Sequence, residues 1–211
     1  MSILIEYLPS LLSVSGIMLV ALISPGPDFA VVVKNSLLYS RKTALLTALG
    51  IALGVLTHVF YALLGLGFLI KSTPWLFHSI KYVGVGYLLY IGYKGLRAKK
   101  ANLEFDSVKR LDDISPQKAL WSGFLTNALN PKCMLFFVSL FSIVVSPDTP
   151  RIVMMAYGLT NFIETLVWFS FVAFCLSGKR TREKFKAAGH WVERITGGVL
   201  VGLGIKLLFA V

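Results

Sequence analysis

Residues 43–70 contain no Asp, Glu, Lys or Arg. A run of this length with no formal charge exceeds the ~20 residues that cross a bilayer core, and it lacks the polar face a soluble surface helix needs. Five further apolar runs accompany it, at about 4–38, 74–97, 118–145, 152–176 and 191–210, the first interrupted near its middle. Only 15% of the chain is charged, against about 25% in soluble domains. The pattern predicts an all-α polytopic membrane protein with six transmembrane helices. No polar stretch is long enough for a separate soluble domain. The first run lacks a basic n-region, since no Lys or Arg precedes Lys34, so it is expected to be a retained span and not a cleaved leader.

The basic residues set orientation. Lys34, Arg41 and Lys42 fall in the first connector, Lys94, Arg97, Lys99, Lys100, Lys109, Arg110 and Lys118 around the third, and Lys179, Arg180, Arg182, Lys184, Lys186 and Arg194 around the fifth. By the positive-inside rule the odd connectors face the cytoplasm and both termini face outward. The net charge of +11 is therefore read as topology and membrane-lipid contact, not as nucleic-acid binding.

Two stretches break the apolar runs. Ser24-Pro25-Gly26-Pro27-Asp28 interrupts the first, and Asn130-Pro131-Lys132 interrupts the fourth. Proline removes a helical N–H donor and clashes with the preceding turn. The halves also match elsewhere: Gly86 with Gly198, Gly92 with Gly204, Lys94 with Lys206, Gly50 with Gly158 and Thr57 with Thr165. The chain is therefore expected to form two inverted three-helix repeats, residues 1–98 and 118–211, joined by a flexible cytoplasmic linker at 99–117. Interrupted helices in matching places of inverted repeats mark a secondary transporter.

Charges inside apolar runs are costly and usually serve function. Asp28 and Lys132 each follow a break, and inverted repeats bring such breaks together. The expected site binds a zwitterion, Asp28 taking an ammonium and Lys132 a carboxylate, with N–H groups at the following helix starts adding to the anion side. A purely structural ion pair is the competing reading. Gly26, Asn127, Asn130 and Asn161 are candidate substrate contacts; Ser24 more simply satisfies backbone freed at its break. Glu164 lies in an apolar setting that disfavours its charged form, so Asp28 and Glu164 are both candidates for carrying a proton, with a helix-tying hydrogen bond the alternative for Glu164. His58 reads first as an interhelical donor. Gly50, Gly54, Gly84 and Gly92 suit close helix packing, and Cys133 and Cys175 read as small buried hydrophobes.

No metal site, cofactor cradle or enzyme signature is legible: His-Glu-x-x-His, Gly-x-Ser-x-Gly and the phosphate-binding glycine loops are all missing. A transporter is expected, not an enzyme and not an ATP-driven pump.

Ser24-Pro25-Gly26-Pro27-Asp28-Phe29 together with Gly123-Phe124-Leu125-Thr126-Asn127-Ala128-Leu129-Asn130-Pro131-Lys132 resembles the LysE/RhtB family of bacterial amino-acid exporters, over essentially the whole chain. Phe141-Ser142 and Glu164-Thr165-Leu166-Val167-Trp168-Phe169 look closest to its threonine- and homoserine-exporting branch. The resemblance implies efflux of a small neutral amino acid across the bacterial cytoplasmic membrane, coupled to protons. A passive channel, an exporter of leucine or of a basic amino acid, and assembly as a homodimer are left open.

Overall fold

The computed structural model of the chain describes residues 2–24, 26–98, 111–146, 148–175, 190–191, 194–202, 204–205 and 208. The described residues form α1 Ser2–Glu6, α2 Leu8–Ile23, α3 Pro27–Leu38, α4 Arg41–Ser72, α5 Pro74–Leu96, α6 Pro116–Ala128, α7 Pro131–Val144 and α8 Arg151–Cys175, followed by helical residues at 194–202, with no strand among them. Proline opens α3, α5, α6 and α7, where its missing N–H costs nothing and its fixed φ already suits a helix. Ser115 caps α6 and Asn130 caps α7, each side chain accepting from a backbone N–H inside its helix.

Among the described residues, two helices are long and apolar enough to cross a membrane, Arg41–Gly65 within α4 and Arg151–Cys175. Each spans 25 residues, or ~38 Å at 1.5 Å per residue. The pairs α2/α3 and α6/α7 are each bent by 56° at their breaks, and counting each pair as one span brings the total to four. Six spans were expected. The third expected run forms α5, which carries Lys81 and Lys94 within its length. Much of the sixth, and the linker at 99–110, lie outside the described residues.

The bundle is built around α4. Gly50 and Gly123 let α4 and α6 touch backbone to backbone: a Cβ on Gly50 would run into Leu120 O, and one on Gly123 into Thr47 O. A Cβ on Gly54 would lie 2.8 Å from the Asn127 side chain. The packing role expected of these glycines is what fixes the depth of α6, and with it the position of the second break. Gly92 on α5 and Gly197 make a similar close approach.

Hydrogen bonds gather the odd connectors at one end of the molecule. Leu111 N–H donates to Leu38 O at 2.8 Å. Asp113 Oδ1 accepts from Ser40 N at 2.8 Å and Thr43 Oγ1 at 3.1 Å. Arg194 Nε donates to Ala98 O at 3.1 Å. The Arg41 guanidinium lies 5.0 Å from the Phe174 ring, at the end of α8. The described end of the linker is thus tied down, where a flexible linker was expected: Asp113 sits over the start of α4, and the Ser40 hydroxyl and N–H hold its carboxyl below the usual carboxylate range.

Candidate functional site

Asp28 lies in the first turn of α3, and its side chain is 9% exposed. Its Oδ2 accepts from Asn127 Nδ2 at 2.9 Å, from Cys133 Sγ at 3.2 Å and from Asn130 Nδ2 at 3.5 Å. These donors come from the far half of the chain, at the end of α6 and the start of α7. Asp28 Oδ1 is buried and has no hydrogen-bond partner among the described residues. Leaving a carboxylate oxygen buried and unsatisfied is expensive.

Lys132 is the second residue of α7. Its Nζ donates to Ser24 Oγ at 3.0 Å and Ser24 O at 3.4 Å, so it reaches back to the first break. A Cβ on Gly26 would lie 3.4 Å from that ammonium, and glycine here gives the long side chain its room. Asn130 Oδ1 accepts from Lys132 N at 3.0 Å, which orients the Asn130 amide nitrogen toward Asp28. The two interruptions therefore meet. Gly26, Asp28, Asn127, Asn130 and Lys132 all line one cavity of about 50 Å³, closed on its apolar side by Met18, Leu22, Phe136, Phe137 and Phe169. That volume holds a few water molecules. The cavity carries one carboxylate, of Asp28, and one ammonium, of Lys132.

The two remaining candidates lie apart from this cavity. Asn161 is fully buried on α8, and its Nδ2 donates to Tyr157 O of its own helix at 2.6 Å. Glu164 accepts from the Ser15 hydroxyl on α2. Its Oε2 and the Trp168 Nε1 are buried without hydrogen-bond partners among the described residues. Glu164 thus belongs to an α2/α8 contact.

Cys133 and Ser24 gain a part that the sequence does not mark, and His58 is the interhelical donor expected of it. Cys133 was read as a small hydrophobe, yet it donates to Asp28; its place directly after Lys132 in the first turn of α7 is the signal that could have found it. Ser24 holds Lys132 as well as serving its own break. His58, fully buried, stacks on Phe137 at 5.8 Å with ring planes 9° apart. His58 Nε2 lies 2.8 Å from Asn127 O, and Nδ1 2.6 Å from Tyr61 Oη. A carbonyl only accepts, so Nε2 carries the proton, and a neutral ring takes the Tyr61 hydroxyl at Nδ1. The logic lies in the second break. Asn127 O would ordinarily accept from the N–H four residues on, but that residue is Pro131, which has none. His58 supplies a donor from α4, and Asn130 N–H supplies another at 2.8 Å.

Residues 19–210 match the family model of the LysE type translocator. The chain is 33% identical over 201 residues to the threonine efflux protein of Escherichia coli, covering 94% of this chain and 97% of that protein. It is 34% identical over 200 residues to the threonine efflux protein of Salmonella typhimurium, covering 94% and 97%. It is 32% identical over 212 residues to the leucine efflux protein of Klebsiella pneumoniae, covering 96% and 94%. No solved structure matches the chain. With a family model and relatives that span nearly its whole length, the chain belongs to the LysE type translocator family and is a translocator, not an enzyme.

Proposed function

We propose that this chain exports small neutral amino acids of the threonine or homoserine kind from the cytoplasm by proton antiport. In this reading it crosses the bacterial cytoplasmic membrane six times as two inverted three-helix repeats, with both termini outside. The two 56° bends at matching places and the gathering of odd connectors at one end support that arrangement. So do the relatives named for threonine efflux.

The observation that carries the mechanism is the buried, unpartnered Oδ1 of Asp28 in a cavity that also holds Lys132. A carboxylate there takes either a proton or the ammonium of a substrate, not both together. That exclusion is the physical basis of antiport: a proton arriving from outside displaces the amino acid, and deprotonation on the cytoplasmic side restores the site. Lys132 takes the substrate carboxylate, and the amides of Asn127 and Asn130 hold Asp28 in place. Gly26 leaves the space, while Asn161 stays apart from the cavity, bonded to its own helix. Glu164, in its α2/α8 contact, is the rival proton carrier. The aromatic and aliphatic side of the cavity, together with the leucine efflux relative, favours a second reading in which the preferred substrate is a larger apolar amino acid.

Purified protein in liposomes with an imposed pH gradient tests this. Labelled threonine or homoserine is expected to move against its own gradient, and Asp28→Asn to abolish that movement while Glu164→Gln retains it. The opposite result for the two variants moves the proton to Glu164. If neither threonine, homoserine nor leucine responds to the gradient in the unmodified protein, proton-coupled export is wrong.

A further inference from the structure

Next to the cavity lies a larger pocket of about 300 Å³, lined by Tyr87, Tyr90, Lys94 and Gly95 of α5 together with Ser24 and Lys132. Ser24, Lys132 and Ile91 line both spaces, so they form the wall between them. Lys94 stands in the last turn of α5, close in sequence to Ala98, which joins the end of the molecule where the odd connectors gather. Among the described residues, no acidic side chain lines this outer pocket, and two lysines do. The Lys94 ammonium lies 5.5 Å from the centre of the Tyr90 ring, whose centre is 6.3 Å from that of Tyr87. A lysine at a helix C-terminus is ordinarily explained by the helix dipole. That account does not require it to face a pocket whose other cation reaches the inner cavity.

Lys94 is outermost, Lys132 lies in the shared wall and Asp28 lines the inner cavity alone. The sign of charge along this path is therefore positive, positive, negative. A zwitterion travelling it with its carboxylate leading would press its ammonium against the lysines behind. One travelling ammonium-first passes each lysine with its own carboxylate following to pair with it, and arrives with its ammonium at Asp28 and its carboxylate at Lys132. We propose that the pocket of Lys94, Tyr87 and Tyr90 is a docking site for the carboxylate of the outgoing amino acid. Lys94 holds the carboxylate first and Lys132 takes it over as Ser24 gives up the ammonium. This rests on the export reading above and adds to it a second binding site and a fixed direction of travel.

Everted membrane vesicles, which expose the cytoplasmic face, provide the test. Lys94→Met is expected to raise the KM for labelled threonine about five-fold at low salt, the scale of one partly screened charge pair, with kcat unchanged. High salt should shrink the difference, and Lys94→Arg should restore the KM. Threoninamide, which lacks the carboxylate, should compete equally well in the unmodified protein and Lys94→Met. Arg97→Met removes the same charge from the same helix end, but Arg97 lies over Tyr93 and does not line the pocket; its KM should stay put. An unchanged KM in Lys94→Met, or an equal rise in Arg97→Met, overturns the docking site while leaving export intact. Vesicles of the unmodified protein that move no threonine, homoserine or leucine overturn both.

Discussion

Asp28 shows how much one side chain can be asked to do in an apolar setting. Three donors converge on a single oxygen, which fixes the carboxylate, while the other oxygen has no hydrogen-bond partner among the described residues. The arrangement depends on Asn127, and Asn127 depends in turn on His58, whose Nε2–H stands in for the donor that Pro131 lacks. His58 does not line the cavity, so it acts by positioning. Replacing it by Leu should raise the KM for the exported amino acid about five-fold, the ~1 kcal/mol of a lost hydrogen bond, with little change in kcat. Gln, whose amide nitrogen reaches the same carbonyl, should recover most of the loss. If Gln and Leu behave alike in vesicle transport, the hydrogen bond is irrelevant and only the volume of the ring matters. Asp28 and Lys132 are legible from sequence because a charge in an apolar run is conspicuous. Cys133 is not, because an ordinary thiol gains its role only from what lies opposite; His58 is legible as an interhelical donor, but not its acceptor. The missing donor at Pro131 can be counted from sequence, but not which helix supplies the substitute.

At the scale of elements, the glycines decide which helices can touch. Gly123 and Gly50 bring α4 and α6 to backbone contact, so a methyl group on either has no side chain to push aside, only peptide groups. Gly86, on α5, has nothing within 4 Å of where its Cβ would lie. Gly123→Ala should therefore destabilise the protein by about 1–3 kcal/mol, as overpacking does. Gly86→Ala should be neutral or slightly stabilising, through the better helix propensity of alanine. Thermal unfolding of the detergent-solubilised variants separates the two, and equal midpoints would show that the α4/α6 contact is looser than described. The helix interruptions at 24–26 and 129–130 are legible because proline and glycine act locally. The α4/α6 contact is legible only in part: the sequence marks Gly50 and Gly54 as packing positions, but their partners depend on a register that no local rule provides.

The whole molecule turns on which end faces the cytoplasm. Three connectors that are far apart in sequence meet at one end through Leu111 and Leu38, Asp113 and Ser40, and Arg194 and Ala98. That end carries Arg41, Lys42, Lys94, Arg97, Lys118 and Arg194. At the other end, the turn after α7 closes on itself through Ser146 N–H and Thr149 Oγ1 at 2.8 Å, leaving Asp148 exposed. Basic residues are retained on the cytoplasmic side during insertion, so the crowded end should be internal and the Asp148 turn external. The charge pattern alone leads to this orientation, but it says nothing about whether the odd connectors touch; the contacts bring described residues of each to one end of the molecule. In a background with Cys133 and Cys175 replaced by Ser, Asp148→Cys should react with a membrane-impermeant thiol reagent in intact cells. Asp112→Cys, exposed beside the Asp113–Ser40 contact, should react only after the cells are opened. Reaction of both variants in intact cells would mean the two ends do not lie on opposite sides of the membrane, and the reversed pattern would turn the export direction around with Lys94 on the outer face.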